Sequence, residues 1–171
     1  YLNQLADCPH VPEHFLSQAQ TMNEGEQQEL LRRFQTMDEA VLGIVMGGVF
    51  GESIDMGSNA LAGVVVVSMA LPPRDLVKTL TSEHFDKTHG SGWGQQVAYL
   101  QPALSRIVQA AGRVIRGPLD KGVLCLVDPR FADPKLAAFF PEHWQVQQCR
   151  AKDAESYLKS FWSNDFSDAG D

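Results

Sequence analysis

The segment Gln109-Ala-Ala-Gly-Arg-Val-Ile-Arg116 sets two guanidinium groups three residues apart, behind an apolar run. Each guanidinium is a planar fork of N–H donors, so two aimed at one patch suit a multiply charged phosphate group. On a helix turning about 100° per residue, Gln109, Arg113 and Arg116 fall within roughly 60° of one another. Leu104, Val108, Ala111 and Ile115 gather on nearly the opposite face. The helix would therefore pack through its aliphatic side chains and present Gln109 and both arginines together. Gly112 inside such a helix costs about 1 kcal/mol relative to Ala, which calls for the close approach of another backbone. A solvated helix face would show the same spacing, so spacing alone leaves both readings open.

A second candidate is the loop Gly47-Gly-Val-Phe-Gly-Glu-Ser-Ile-Asp-Met-Gly57, at the carboxyl end of the apolar run Val41–Met46. Ligands of open α/β sheets bind at strand carboxyl ends, which makes Glu52 and Asp55 candidates. No Lys-Ser or Lys-Thr follows these glycines, so the loop is not a phosphate-cradling Walker loop. Gly51-Glu-Ser-Ile-Asp55 mimics a nucleophile elbow but ends in Asp instead of Gly, which argues against a serine hydrolase. Cys8, His10 and His14 could be drawn as metal ligands, yet no fourth ligand of matching spacing follows, and scattered loop residues explain them better. Trp93, Trp144 and Trp162 could stack on nucleobases, although lone aromatics usually serve packing. Asp128-Pro-Arg-Phe131 reads as a turn or as a second contribution to a site.

Three runs are apolar almost without alternation: Val41–Met46, Val64–Val67 and Val123–Val127. Such runs predict strands covered on both faces, hence a mostly parallel sheet with helices on each side. His14–Ala19 is a weaker fourth strand. Asn23 with Glu26 forms a capping-box pattern, and Leu30, Leu31, Phe34 and Met37 continue it as an apolar stripe. Further helices are expected from Asp75 to Phe85 and from near Pro102 to about Arg116, where Gly117-Pro118 would stop the chain. His89–Gly94 reads as a loop. From Lys152 the chain should form one short helix and a frayed acidic end, Asn164 to Asp171. The expected organisation is an α/β domain over 1–150 and a helix with acidic tail over 151–171.

The chain has 171 residues, 44 % of them hydrophobic and 20 % charged, with a net charge of −7. That composition suits one globular core and disfavours a generic nucleic-acid coat, while leaving room for a local basic strip. No apolar run approaches the about 20 residues that span a bilayer. Three cysteines, Cys8, Cys125 and Cys149, have no metal-ligand spacing, and their odd number argues against a closed disulfide framework. A cytoplasmic location is the expectation. Tyr1 stands first without an initiator Met, and Tyr1–Ala6 looks like the end of a helix, which predicts a segment of a longer protein lacking its first strand.

Gly47–Asp55 resembles motif V of the DinG and XPD type of helicases in superfamily two. Gln109–Arg116 resembles their motif VI, Q-x-x-G-R-x-x-R, and Val123–Phe131 resembles the strand and D-x-R-F turn that follow it. Order and spacing match over the chain to about Trp144, with departures at Gly51 and Ser53. The resemblance implies a second RecA-like motor domain of a DNA helicase acting in repair or replication. It implies ATP and Mg²⁺ shared with a first RecA-like domain, and single-stranded DNA as partner. Arg113 and Arg116 would then be arginine fingers, with Gln109, Gly112, Glu52 and Asp55 at the nucleotide and Gly48 and Phe50 toward DNA. It also implies that an iron–sulfur cluster, where the parent has one, lies in the other half of the protein.

Two other classes stay open. Tyr157–Phe166 mixes aromatics and carboxylates as docking peptides do, which would suit a nucleotide-independent interaction module with a protein partner. A doubly wound small-molecule enzyme is disfavoured, because no G-x-G-x-x-G follows a strand.

Overall fold

A computed structural model describes residues 14–19, 21–46, 61–117 and 120–163. The chain divides into two compact units, Tyr1–Phe140 and Pro141–Asp171.

In the first unit, β1 (Phe15–Ser17) pairs in parallel with β2 (Val41–Gly43), with Leu16 opposite Leu42. Parallel neighbours need a crossover, here α1 (Glu24–Thr36). The expected capping box is present: Asn23 Oδ1 accepts from the Glu26 N–H at 3.0 Å, and Glu26 Oε2 accepts from the Asn23 N–H at 2.8 Å. Leu30 is buried with Leu16, and Leu31, Phe34, Met37, Leu42 and Leu61 pack against them. The strand expected over Val41–Met46 is shorter, ending at Gly43. The Gly47–Gly57 loop, with Gly48, Phe50, Glu52 and Asp55, lies outside the described residues, as do Cys8 and His10.

A second parallel pair joins β3 (Gly63–Val67) to β4 (Val123–Val127), with Val66 opposite Leu126. Their connection begins with α2 (Leu76–His89), capped by Asp75, whose Oδ1 accepts from the Lys78 N–H at 2.8 Å. This helix runs four residues past the expected Phe85, and only residues 90–92 form the turn. The helical path resumes at α3 (Trp93–Gln95), passes through a π-helical turn at Gln96–Leu100, and continues as α4 (Gln101–Ala111).

The helix expected over Pro102–Arg116 begins as expected, at Gln101, although helical turns from Trp93 lead into it, and its end is displaced. Proline has no N–H to give to the carbonyl four residues back. Pro102 accordingly lies in the first turn of α4, and the widened π turn before it joins α4 to α3. At the other end α4 stops at Ala111, with Gly112 as its cap and residues 112–114 in turn conformation.

α4 packs on β3. Val66 and Met69 are buried on the strand side, and Ala103, Leu104, Ile107 and Ala111 on the helix side. The opposite face is open among the described residues: Val65 is 65 % and Val127 54 % exposed, so helices over both faces are not seen there. Gly94 ties α3 to α2, because a Cβ on it would lie 2.1 Å from the Ser82 carbonyl oxygen.

After β4 come a 3₁₀ turn (Pro129–Ala132) and α5 (Pro134–Ala137). In the second unit a 3₁₀ turn (Ala151–Asp153) leads into α6 (Ala154–Ser163). Arg150 Nε donates to Asp153 at 2.9 Å, beside an open groove lined also by Gln148, Cys149 and Tyr157.

Candidate functional site

Gln109, Gly112, Arg113 and Arg116 sit at the exit of α4, but not along one helical face. Because α4 has ended, the rotation of 100° per residue no longer applies after Ala111. The backbone tightens instead, with the Arg113 N–H donating to Ala110 O at 3.2 Å and the Val114 N–H to Ala111 O at 2.9 Å. That turn rolls Val114 inward to 3 % exposure and leaves Ile115, expected on the packing face, 45 % exposed. Val114 seats on Gly122, where a Cβ would lie 2.0 Å from Val114 Cγ1. Gln109 and Arg116 are exposed and Arg113 is half-buried, flanking the Val114 anchor.

Gly112 carries no such constraint within the chain. Its φ is −63°, and a Cβ there would meet nothing closer than 3.5 Å. The close approach inferred from its helix cost is not made by any described part of this chain.

Asp120 was not singled out from the sequence, and it organises the segment. Its Oδ2 accepts the main-chain N–H of Arg116 and of Gly117, each at 2.7 Å, while its own N–H donates to Gly117 O at 3.2 Å. One carboxylate thus fixes the backbone directly after the second arginine. The signal was available, since Asp and Gly in a Gly-Pro-x-Asp run are turn formers with side-chain-to-backbone hydrogen bonds.

A second polar cluster occupies the carboxyl ends of β3 and β4. Asp128 Oδ1 accepts from the Arg130 N–H at 2.9 Å and from Arg130 Nε at 2.8 Å, and Oδ2 accepts from Arg130 Nη2 at 2.6 Å. The same guanidinium donates to Ser68 Oγ at 3.2 Å. The Arg130 side chain, then its backbone N–H, holds the Asp128 carboxyl down at about 2. Ser68 and Ala70 have φ of 70° and 49°, an uncommon conformation for residues with a Cβ, and the Arg130 bond braces that bend. Asp128-Pro-Arg-Phe131 is thus a turn that also bridges two strands.

The remaining sequence candidates separate. His14 Nδ1 lies 3.0 Å from Asp38 O, a structural contact. Cys125 is half-buried in β4 and Cys149 exposed in the second unit. Among the described residues no three His, Cys, Asp or Glu side chains converge as metal ligands. No helix among them is long and apolar enough to cross a membrane. Trp93 belongs to a row of rings taken up below. Tyr157 and Trp162 of α6 are exposed, while residues 164–171 lie outside the described part.

Parallel strands joined through helices, with an arginine-bearing turn at the exit of the buried helix, define a parallel α/β domain. The family model described as the helicase C-terminal domain matches residues 2–147, and the chain belongs to that family, the carboxy-terminal domain of DinG and XPD type helicases. RecA-like α/β architecture follows from that membership. A "probable ATP-dependent helicase" of Methanocaldococcus jannaschii is 36 % identical over 123 residues, 67 % of this chain and 18 % of that protein. The regulator of telomere elongation helicase 1 of Homo sapiens is 34 % identical over 116 residues, 64 % of this chain and 9 % of that protein. Its Mus musculus counterpart is 36 % identical over 104 residues. The chain thus spans less than a fifth of the length of these curated relatives.

Proposed function

We propose that this chain is the second motor domain of an ATP-dependent DNA helicase, with residues 1–150 as the motor domain and 151–171 as an appended helix and tail. ATP would lie between it and a first RecA-like domain of the same protein. Arg113 and Arg116 would reach across that cleft to the β- and γ-phosphates and stabilise charge as it develops during hydrolysis. The observation that carries the reading is the construction of the turn. Val114 and Asp120 fix the backbone on either side of Arg116, so both guanidiniums leave from a preset position. Preset donors stabilise a transition state because they need no reorganisation when charge appears.

Gln109, exposed one turn before the arginines, would make a polar contact at the same cleft. Gly112 is exposed, and its missing side chain would let the backbone of the first domain come close. Glu52 and Asp55 would couple nucleotide state to the DNA-facing loop, with Gly48 and Phe50 nearer the single strand. Mg²⁺ and the attacking water would be organised by the first domain. The names of the relatives support ATP-dependent helicase activity of the parent.

DNA-stimulated ATP hydrolysis by the full-length parent tests the reading. Arg113→Ala and Arg116→Ala should each lower turnover by roughly 10³-fold with ATP binding largely kept. Unchanged turnover would return the segment to a solvated turn.

A further inference from the structure

The row of rings at the junction of α2 and α3 has no role in the arginine site. Phe85 and His89 stack with centroids 5.4 Å apart and planes 26° apart, and His89 meets Trp93 at 5.5 Å. His84 closes edge-on against Phe85 at 5.7 Å. Trp93 is 45 % exposed, and both histidines are exposed.

The turn that creates this row is tightly specified. Gly90 and Gly92 take φ of 104° and 96°, conformations that favour glycine. Asp86 Oδ1 accepts the main-chain N–H of Gly92 and of Gly94, each at 2.9 Å. Gly94 then lies against the Ser82 backbone with no room for a side chain. Four residues therefore cooperate to fold the chain back, and the outcome is an indole held at the surface beside an imidazole.

We propose that Phe85, His89 and Trp93 form a stacking platform for bases of single-stranded nucleic acid. Sequence-tolerant single-strand binding combines aromatic faces with nearby positive charge. Lys87 shares the last turn of α2 with His89, and the other neighbours, Thr88, Ser91 and Gln95, are polar. The exposed aliphatic residues of α2, Leu76, Val77 and Leu80, lie toward its other end. At about 100° per residue, Phe85 and His89 lie on nearly the opposite face of α2 from Leu76 and Leu80, so the platform is not the edge of that apolar patch. A protein-docking surface would draw on those aliphatics, whereas the ring row stands among polar and charged groups, with Lys87 beside it and the Asp86 carboxylate engaged by the Gly92 and Gly94 N–H groups.

The platform deepens the reading of the chain as part of a single-strand motor and rests on that reading for its ligand. Its test reads binding without nucleotide, which does not use the arginines, so either idea can fail alone. Fluorescence anisotropy would follow the full-length parent on labelled dT20, on rU20 and on an abasic 20-mer of equal charge. Trp93→Ala should weaken dT20 binding about tenfold, leave the abasic strand unaffected, and be largely rescued by Trp93→Phe. Equal losses on dT20 and rU20 identify bases in general, and loss on one alone assigns the sugar type. Wild-type affinity of Trp93→Ala for both base-bearing strands would overturn the proposal. So would a parent that binds dT20 no better than the abasic strand. Should Trp93→Ala melt early, His89→Ala, on an exposed side chain, gives the same readings.

Discussion

At the carboxyl ends of β3 and β4, Arg130 is folded back onto Asp128 and Ser68, and its guanidinium is engaged within the chain. At the amino end of β4, Arg113 and Arg116 leave the exit of α4, where the main-chain bonds to Asp120 and the seat of Val114 on Gly122 are among the contacts that fix the turn. In the first turn a carboxylate grips an arginine side chain and makes it a brace. In the second, Asp120 grips main-chain N–H groups and sets where the arginines start. The contrast is between a carboxylate that engages an arginine side chain and one that engages the main chain beside two arginines, although both sets lie within twenty residues of sequence.

The widest predicted gap between the two turns is in turnover. Arg113→Ala and Arg116→Ala should cost the parent roughly 10³-fold in DNA-stimulated hydrolysis, the scale of an arginine finger. Arg130→Ala should stay within about threefold, because an ion pair half open to water contributes little. A comparable loss at Arg130 would erase the distinction and bring the carboxyl-end cluster into the cleft.

Asp120→Ala comes next. It removes the acceptor of two main-chain hydrogen bonds and leaves both guanidiniums in place, so turnover should fall about tenfold, equivalent to some 1.4 kcal/mol of barrier. Thermal melting should show only a modest loss. Turnover equal to wild type would mean that Val114 on Gly122 suffices to aim the turn.

These turns also show what the sequence discloses. The capping box at Asn23, the Asp75 cap and the D-x-R turn were legible because each is satisfied within four residues. The parallel pairing of the valine-rich runs was legible from their unbroken hydrophobicity. Pro102 marked the start of α4, while the helical turns that lead into it from Trp93 carry no such signal and were not expected. Ile115 is exposed, not packed, because the periodicity was extended past the helix end at Gly112. Gly112 looked like a packing glycine and Gly94 like a loop glycine, yet only Gly94 touches another element's backbone. The family was legible from three motifs in register, and membership is shown by the match over residues 2–147.

The smallest expected effect concerns the brace itself, and its sign follows from the lowered carboxyl. Asp128 sits at about 2 in the folded chain against an ordinary value of 3.8. A carboxyl depressed on folding contributes stability above its unfolded value, and that contribution is lost as pH falls toward the folded one. Asp128→Asn has no such charge to titrate. Wild type should therefore exceed Asp128→Asn in stability by a constant margin above about pH 4, and the margin should shrink between pH 4 and pH 2. Urea melts of both proteins across that window measure it. A margin independent of pH would show that the carboxylate charge contributes nothing to the brace, leaving the neutral hydrogen bonds from Arg130 to hold the Ser68 bend. Turnover at neutral pH should hardly differ, since the brace and the arginine turn meet the strands at opposite ends.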